Sequence, residues 1–230
     1  VIAGETAISD VVGDRGELYY RGYNIHDLVS CSFEEIIYLL LYKKLPTVQA
    51  LRRFQGALFN EMFLPRDVLN VLQVIAKDSH PMEALRTIVS LLSFYDTHPD
   101  DNSERENLRK SISLIAKFPL IIASYQRMKY KKKILKPVKQ LSYAANFLYL
   151  LQGTIPDRDY ERIFNMCLVL HVDHSFNAST FAARVTISTL SDIYSAITTA
   201  IGTLKGPLHG GAYQFVLQML QEIKDGRYAE

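Results

Sequence analysis

The chain has 230 residues, of which 48% are hydrophobic and 22% charged, and its formal net charge is +2. These proportions are ordinary for a globular protein, and the length predicts one or two domains. So small a net charge gives no electrostatic argument for a nucleic-acid partner. No apolar run approaches the ~20 residues that a membrane span needs. Composition therefore predicts a globular protein with neither nucleic acid nor membrane as a partner.

The cysteines and the first residues indicate the cellular compartment of the protein. Cys31 and Cys167 are the two cysteines, too few for a disulfide framework, and a reducing compartment is the default for such a chain. Residues 1–10 lack the basic and long apolar regions of a signal peptide. We therefore predict a cytoplasmic location. Because the sequence begins without Met, we also expect it to be part of a longer protein.

The N-terminal part predicts a small β-hairpin followed by capped helices. In residues 1–20, a turn segment at 13–16 separates two short apolar pieces, which is typical of a hairpin. Ser32 and Glu35 have the spacing of a capping box and open the first long helix. Thr47 follows Pro46 and caps the next helix.

The rest of the chain predicts helices joined by short loops. Proline at position 81 suits the first turn of a helix, with His80 as its cap, and Pro119 is expected to kink a long helix. With no alternation of strands and helices, we predict an all-α fold with at most the small hairpin. The predicted helices after Thr47 cover residues 48–59, 65–77, 81–92, 105–128, 141–152, 157–170, 191–205 and 209–224.

The segment around His209 carries the strongest chemical signal. Gly206 and Pro207 stop one helix, and the spacing of apolar residues after them predicts that another helix starts at His209. The positive dipole at a helix N-terminus disfavours an imidazolium, and a neutral imidazole there can donate a hydrogen bond to a carbonyl or enolate oxygen. Gly210 and Gly211 have no Cβ, so a substrate could approach the backbone closely.

His171 and His174 form a second candidate pair. Being three residues apart, they share a helix face if the helix of residues 157–170 continues that far. No Cys or Glu nearby completes a zinc pattern, so we predict no metal site. The alternative for each histidine is a cap or surface residue. The residues by themselves predict a polar histidine cluster that is either catalytic or structural.

Six segments, found in order along nearly the whole chain, resemble the citrate synthase family, which includes the 2-methylcitrate synthases. They read YRGYNIHDL at 20–28, HPMEALRT at 80–87, LSYAANFLYLL at 141–151, DHSFNASTFAARV at 173–185, SDIYSAI at 191–197 and GPLHGGA at 206–212. The resemblance implies an acyltransferase that condenses acetyl-CoA with oxaloacetate to give citrate and free CoA.

The resemblance also implies roles for particular residues. His209 matches the family's enolate-stabilising histidine, and His174 matches the histidine that binds oxaloacetate. Asn177 lies in the same substrate-side loop, and His171 is assigned a supporting role in substrate binding. The family uses no cofactor, since the coenzyme A thioester is itself a substrate. The basic segment 129–139 is interpreted as a solvated linker or, alternatively, as an attractor of the coenzyme A phosphate.

The resemblance further implies that residues 1–230 are the helical large domain of the family, and an incomplete one. The family's second catalytic histidine, its aspartate base and its substrate arginines belong to segments expected after residue 230, in a small domain. The family forms homodimers through helices that correspond to 108–128, 141–151, 190–205 and 209–224. We therefore expect a homodimer, and we expect residues 1–230 alone to fold without catalysing the reaction.

Two departures keep alternatives open. Ser175 stands where many citrate synthases have glutamate, and the string HSFNASTF is more similar to 2-methylcitrate synthases, which use propionyl-CoA. Tyr213 replaces the asparagine that usually follows HGGA. The alternatives are therefore a 2-methylcitrate synthase and, in another class, a non-catalytic dimerisation module.

Overall fold

The protein was analysed as a computed structural model that describes residues 4–223, without the side chains of residues 213 and 214. The predicted all-α fold is confirmed, with one small sheet at the N-terminus. The sheet contains β1 (Ser9–Val12), β2 (Glu17–Tyr20) and β3 (Tyr23–Asn24). The helices are α1 (Ile25–Leu28), α2 (Phe33–Tyr42), α3 (Val48–Glu61), α4 (Arg66–Ile75), α5 (Pro81–Leu92), α6 (Glu104–Lys129), α7 (Tyr143–Gln152), α8 (Arg158–Leu170), α9 (Ala178–Ser188), α10 (Ile193–Leu204) and α11 (Ala212–Glu222).

The N-terminal sheet extends the predicted hairpin by one strand. β1 and β2 pair antiparallel, with Ser9 opposite Tyr20, and β3 adds to the other edge of β2. Arg21 and Gly22 both have positive φ, at 50° and 85°, which turns the chain sharply between β2 and β3. The third strand was missed because two residues are too few to show an alternating pattern.

The predicted caps are present. The Ser32 side chain accepts from the Glu35 N–H while the Glu35 carboxylate accepts from the Ser32 N–H, which is a complete capping box. The Thr47 side chain caps α3 by accepting from the Ala50 N–H. At α5 the His80 imidazole accepts from the Met82 N–H through Nδ1 at 3.2 Å. His80 therefore has the capping role that its position before Pro81 predicts.

Tyr143 joins three helices at one point. Pro119 lies inside α6 and has no N–H, so the carbonyl of Ile115, four residues earlier, loses its helical donor. The Tyr143 hydroxyl donates to that carbonyl at 2.8 Å. The Tyr143 backbone N–H, at the start of α7, donates to the carboxyl of Glu34 in α2 at 2.9 Å. The proline is thus accommodated by a tyrosine from the neighbouring helix.

The main core is formed where α5 packs on α4, α6 and α10. Its fully buried side chains include Val68, Leu72, Ile88 and Val89. No helix within residues 4–223 is both long enough and apolar enough to cross a membrane.

The helices α7 and α11 differ in how the chain covers them. Five apolar residues of α7 are buried by their own chain: Tyr143, Ala144, Ala145, Leu148 and Leu150. In α11, by contrast, five large apolar residues are between 45% and 64% exposed: Phe215, Val216, Leu217, Met219 and Leu220. The uncovered apolar surface therefore lies on α11 rather than on α7.

A buried carboxylate ties α10 to α6. The Asp96 side chain is 1% exposed and accepts from Arg109 Nη2 at 2.6 Å and from the Tyr194 hydroxyl at 2.6 Å. Burial acts to raise the pKa of Asp96, but the hydrogen bonds from Tyr194, the His98 N–H and Arg109 outweigh it, and the pKa is lowered overall. The carboxylate is therefore the form that the folded protein stabilises.

We predict that Asp96→Asn destabilises the fold by about 1–3 kcal/mol at neutral pH, since a hydrogen-bonded charge is lost. Because the pKa of Asp96 is lowered on folding, its contribution is present above the ordinary aspartate pKa of about 4 and is lost as pH falls below it. Urea unfolding between pH 3 and pH 8 measures both effects. The acid-induced loss should be smaller in the variant.

The control is Asp159→Asn, because Asp159 forms an ion pair with Arg162 at 3.5 Å but its side chain is 85% exposed. Exposed pairs contribute about 0–1 kcal/mol, so this variant should differ little from the wild type. Equal destabilisation by both substitutions would contradict the role assigned to Asp96.

Candidate active site

The segment 206–211 is a closed turn, and α11 begins only after it. The Gly206 carbonyl accepts from the backbone N–H of His209 at 3.0 Å and from that of Gly211 at 3.1 Å. The Ala212 N–H then donates to the His209 carbonyl at 3.0 Å. The prediction that a helix starts at His209 is therefore wrong. In such a helix the Ala212 N–H would donate to the Leu208 carbonyl, four residues back, whereas here it donates to the His209 carbonyl. His209 is a turn residue that precedes α11.

The two glycines after His209 are required by the chain's own backbone. A Cβ at Gly210 would lie 2.5 Å from the carbonyl oxygen of Leu204, and one at Gly211 would lie 2.9 Å from that of Gly206. Both distances are far below van der Waals contact. The structure thus gives a reason for the glycines that the sequence did not: the turn folds back tightly against the end of α10.

His209 is linked to Asn177 through a serine. The Nε2 atom of His209 lies 3.0 Å from the Ser179 hydroxyl, and that hydroxyl donates to the Asn177 side-chain oxygen at 2.7 Å. The same Asn177 oxygen caps α9 by accepting from the Thr180 N–H at 2.9 Å. All three side chains of this network are half-buried. The N-terminus of α9 therefore fixes the position of the His209 imidazole.

The loop between α8 and α9 carries the other two histidines. α8 ends at Leu170, so the condition for a shared helix face is not met, and His171 and His174 do not share one. The exposed His171 imidazole donates from Nδ1 to the Cys167 carbonyl at 2.7 Å, which closes the last turn of α8. His174 is exposed, and Ser175 after it has a φ of 67°, so the chain reverses direction there.

The N-terminal sheet holds this loop in place. The Ser9 hydroxyl of β1 donates to the Asp173 carboxylate, and the Ser175 N–H donates to the Ser9 hydroxyl at 2.7 Å. The Tyr20 hydroxyl of β2 donates to the Val169 carbonyl at 3.0 Å. His174 thus lies between two residues that are bonded to β1. These contacts join residues more than 140 positions apart.

Two of the four predicted site residues, His209 and Asn177, are brought together by one serine, and His171 and His174 lie in the loop that leads to Asn177. The prediction omitted Ser179 itself. Its signal was present in the sequence, because a serine two residues after a capping asparagine can reach back to the cap. Within residues 4–223 no group of three or more His, Cys, Asp or Glu is arranged to hold a metal ion.

The family profile described as citrate synthase, C-terminal domain, matches residues 1–230. The chain therefore belongs to the citrate synthase family. Among curated relatives, it is 46% identical to the citrate synthase of Haloferax volcanii, covering 98% of this chain and 61% of that protein. It is also 43% identical to citrate synthase 2 and 40% identical to citrate/2-methylcitrate synthase of Bacillus subtilis, covering 62% and 60% of them.

Solved structures agree with the sequence relatives. The citrate synthase of Pyrobaculum aerophilum superposes with a TM-score of 0.92 at 38% identity, covering 98% of this chain and 58% of that one. The citrate synthase of Thermoplasma acidophilum, in a ternary complex with carboxymethyl coenzyme A and oxaloacetate, superposes with a TM-score of 0.91 at 32% identity. It covers 98% of this chain and 59% of that one. The chain thus spans about three fifths of its relatives.

We predict that Gly210→Ala destabilises the protein by about 1–3 kcal/mol, the usual cost of overpacking, and displaces His209 from Ser179. Thermal unfolding measures the stability. The matched control is Gly56→Ala inside α3, where a Cβ meets no atom within 4 Å. That substitution should stabilise the protein by about 0.5–1 kcal/mol, since alanine is the better helix former. A Gly210→Ala variant as stable as Gly56→Ala would refute the packing argument.

Proposed function

We propose that the protein to which this chain belongs condenses acetyl-CoA with oxaloacetate, giving citrate and free CoA. The observation that carries the proposal is the His209–Ser179–Asn177 network in a chain of this family. The small-molecule substrates are also those of the Thermoplasma acidophilum complex, oxaloacetate and a coenzyme A analogue. No metal or cofactor takes part, since coenzyme A enters as part of the thioester substrate.

The reaction needs a base, a hydrogen-bond donor to the enolate oxygen, and oxaloacetate held in position. The base removes a proton from the thioester methyl group, and the electron pair moves onto the thioester oxygen as an enolate. The enolate carbon then attacks the carbonyl carbon of oxaloacetate, and water cleaves the thioester to release CoA. We assign His209 as the donor to the enolate oxygen. His174 and Asn177, with His171 in support, form the oxaloacetate side of the site.

We propose that residues 1–230 contribute a helical large domain and that the base and the carboxylate-binding arginines belong to a small domain outside them. The curated relatives support this division, because the match covers only 61% of the Haloferax volcanii protein. A second domain would also exclude water as it closes over the substrates. Two unpaired cysteines and relatives from bacteria and archaea support a cytoplasmic location.

The position of Ser179 determines which nitrogen of His209 can act. Since Nε2 faces Ser179, Nδ1 is the nitrogen left for the substrate, and it must carry a proton in order to donate. A neutral imidazole carries one proton, so Nε2 must then be bare and accept from a donor. We propose that the Ser179 hydroxyl turns from Asn177 to His209 when substrate binds. The serine would thereby keep the productive tautomer.

We predict that His209→Ala lowers turnover by about a hundredfold or more, as the loss of one oxyanion donor does in other enzymes. Oxaloacetate affinity should change little, because His174 faces that substrate. The assay follows thiol release from acetyl-CoA by the protein that contains this chain. Near-normal turnover would overturn the assignment of His209.

Ser179→Ala is the companion variant. It removes the donor to Nε2, so the productive tautomer should be less populated and turnover should fall, whereas Ser179→Thr keeps the hydroxyl and should retain more activity. The ¹⁵N chemical shifts of the His209 ring report the tautomer directly. Equal turnover in the alanine and threonine variants would contradict the proposed role of the hydroxyl.

For His174 we predict a selective effect on oxaloacetate. His174→Ala should weaken oxaloacetate binding at least tenfold and leave acyl-CoA binding nearly unchanged, as measured by calorimetric titration of each ligand. His26→Ala is the control, since His26 is also exposed but lies on α1. Losses of equal size for both ligands would instead indicate a structural histidine.

The second candidate function is 2-methylcitrate synthesis from propionyl-CoA. The string HSFNASTF favours it, and a 2-methylcitrate synthase of Corynebacterium glutamicum is 41% identical to this chain. One methylene group changes binding by only about 1–3 kcal/mol, so a few pocket residues decide between the substrates. The ratio of kcat/KM for acetyl-CoA and propionyl-CoA distinguishes the two functions. A non-catalytic dimerisation module, the alternative of another class, would release no thiol from either.

We also propose that the protein is a homodimer through α11. The exposed apolar residues of α11 form a patch of a kind that soluble monomers rarely leave in water. We predict that sedimentation at micromolar concentration gives twice the monomer mass. Leu217→Glu with Leu220→Glu should shift the protein toward monomer, because two charges would enter an apolar interface. A monomer at micromolar wild-type concentration would reject the dimer.

A further inference from the structure

A cavity of about 470 Å³ lies between α2, α3, α7 and α8, and the site residues discussed above do not line it. Its apolar wall comes from α3 and from the residue before the α7 cap, namely Leu58, Phe59, Met62 and Leu141. Two cationic side chains that also line it, Arg52 and Lys139, are exposed and therefore stand at its mouth. The volume is in the range of small-molecule sites in proteins.

Two carboxyl groups line the inner part of this cavity. Glu34 is only 3% exposed, and its Oε1 accepts from the Tyr143 N–H at 2.9 Å. Its Oε2 is buried and has no hydrogen-bond partner within residues 4–223. Glu161 is half-buried, and its Oε1 accepts from the Ser142 hydroxyl at 2.5 Å. Glu34 thus lines the cavity and has one carboxyl oxygen without a hydrogen-bond partner among the described residues.

The electrostatics of Glu34 agree with this geometry. Burial raises the pKa of its carboxyl, and the charge of Glu161 raises it further, although the Tyr143 N–H and the nearby Gln55 side chain act in the opposite direction. A positively charged donor placed between the two carboxyl groups would relieve both effects. An unsatisfied buried polar atom destabilises the folded protein, so a ligand that supplies the missing donor gains that interaction.

The residues of the cavity wall and mouth indicate the chemistry of the rest of the ligand. The apolar wall suits a hydrocarbon or thioether body better than a hydrated metal ion, and two carboxyl groups are fewer oxygen ligands than Ca²⁺ takes. Arg52 and Lys139 at the mouth suit an anionic end. We propose that this cavity binds a small primary ammonium compound with an apolar body and a carboxylate, the chemistry of an apolar amino acid. The ammonium bonds to Glu34, and the carboxylate faces Arg52 and Lys139.

Calorimetric titration of the whole protein tests the proposal with L-methionine, L-leucine and L-phenylalanine as probes. At least one of them should bind, and its N-acetyl derivative, which has no ammonium group, should bind at least tenfold more weakly. Binding of the acetylated and free forms with equal affinity would overturn the proposal, and so would the absence of binding by all three. Displacement of the amino acid by MgCl₂ alone would also overturn it and indicate a metal site.

Variants locate the site. Glu34→Gln keeps an acceptor for the Tyr143 N–H and should lower the affinity at least tenfold, whereas Glu104→Gln, which removes an exposed carboxylate of α6, should not change it. Lys139→Ala, at an exposed position, should weaken the binding of L-methionine but not of its decarboxylated amine. Unchanged affinity in Glu34→Gln, or, if that variant does not fold, in Lys139→Ala, would refute the assignment. Condensing activity is not required for any of these measurements.

Discussion

The hydrogen bond between His209 and Ser179 determines how the candidate active site is arranged. It connects a turn after α10 to the N-terminus of α9, and these two helices pack extensively on each other. The turn is closed by one carbonyl, that of Gly206, which accepts two backbone N–H groups. The imidazole therefore depends on two rigid elements, and a change in either would move the proposed donor away from the substrate. Such positioning accounts for much of the rate that a preorganised donor can supply.

A second constraint places the loop that we propose for binding oxaloacetate. The loop with His174 is irregular, yet Asp173 and Ser175 on either side of it are bonded to Ser9 in the N-terminal sheet. A loop held by long-range hydrogen bonds has less conformational freedom to lose when a ligand binds. The small sheet, a minor part of an all-α protein, thereby supports the candidate site.

Local features of the fold could be predicted from the sequence, whereas contacts between distant segments could not. The caps at Ser32 and Thr47 depend on residues three positions apart, so their spacing reveals them. The bond from Ser9 to Asp173 spans 164 positions and has no local pattern. The start of α11 was misplaced by three residues because the Ala212 N–H donates to the His209 carbonyl and not to the Leu208 carbonyl, as a helix from His209 would require. Likewise, the tyrosine that compensates for Pro119 comes from another helix.

The central claim is that His209 donates from Nδ1 to the thioester oxygen while Ser179 holds Nε2. The most direct measurement is a crystal structure of the protein with oxaloacetate and carboxymethyl coenzyme A, whose carboxylate stands in for the enolate. The account predicts an oxygen of that carboxylate about 2.7–3.1 Å from His209 Nδ1, with the Ser179 hydroxyl still in contact with Nε2. An imidazole turned away from the ligand, or one bonded to it through Nε2 with Ser179 displaced, would contradict the account.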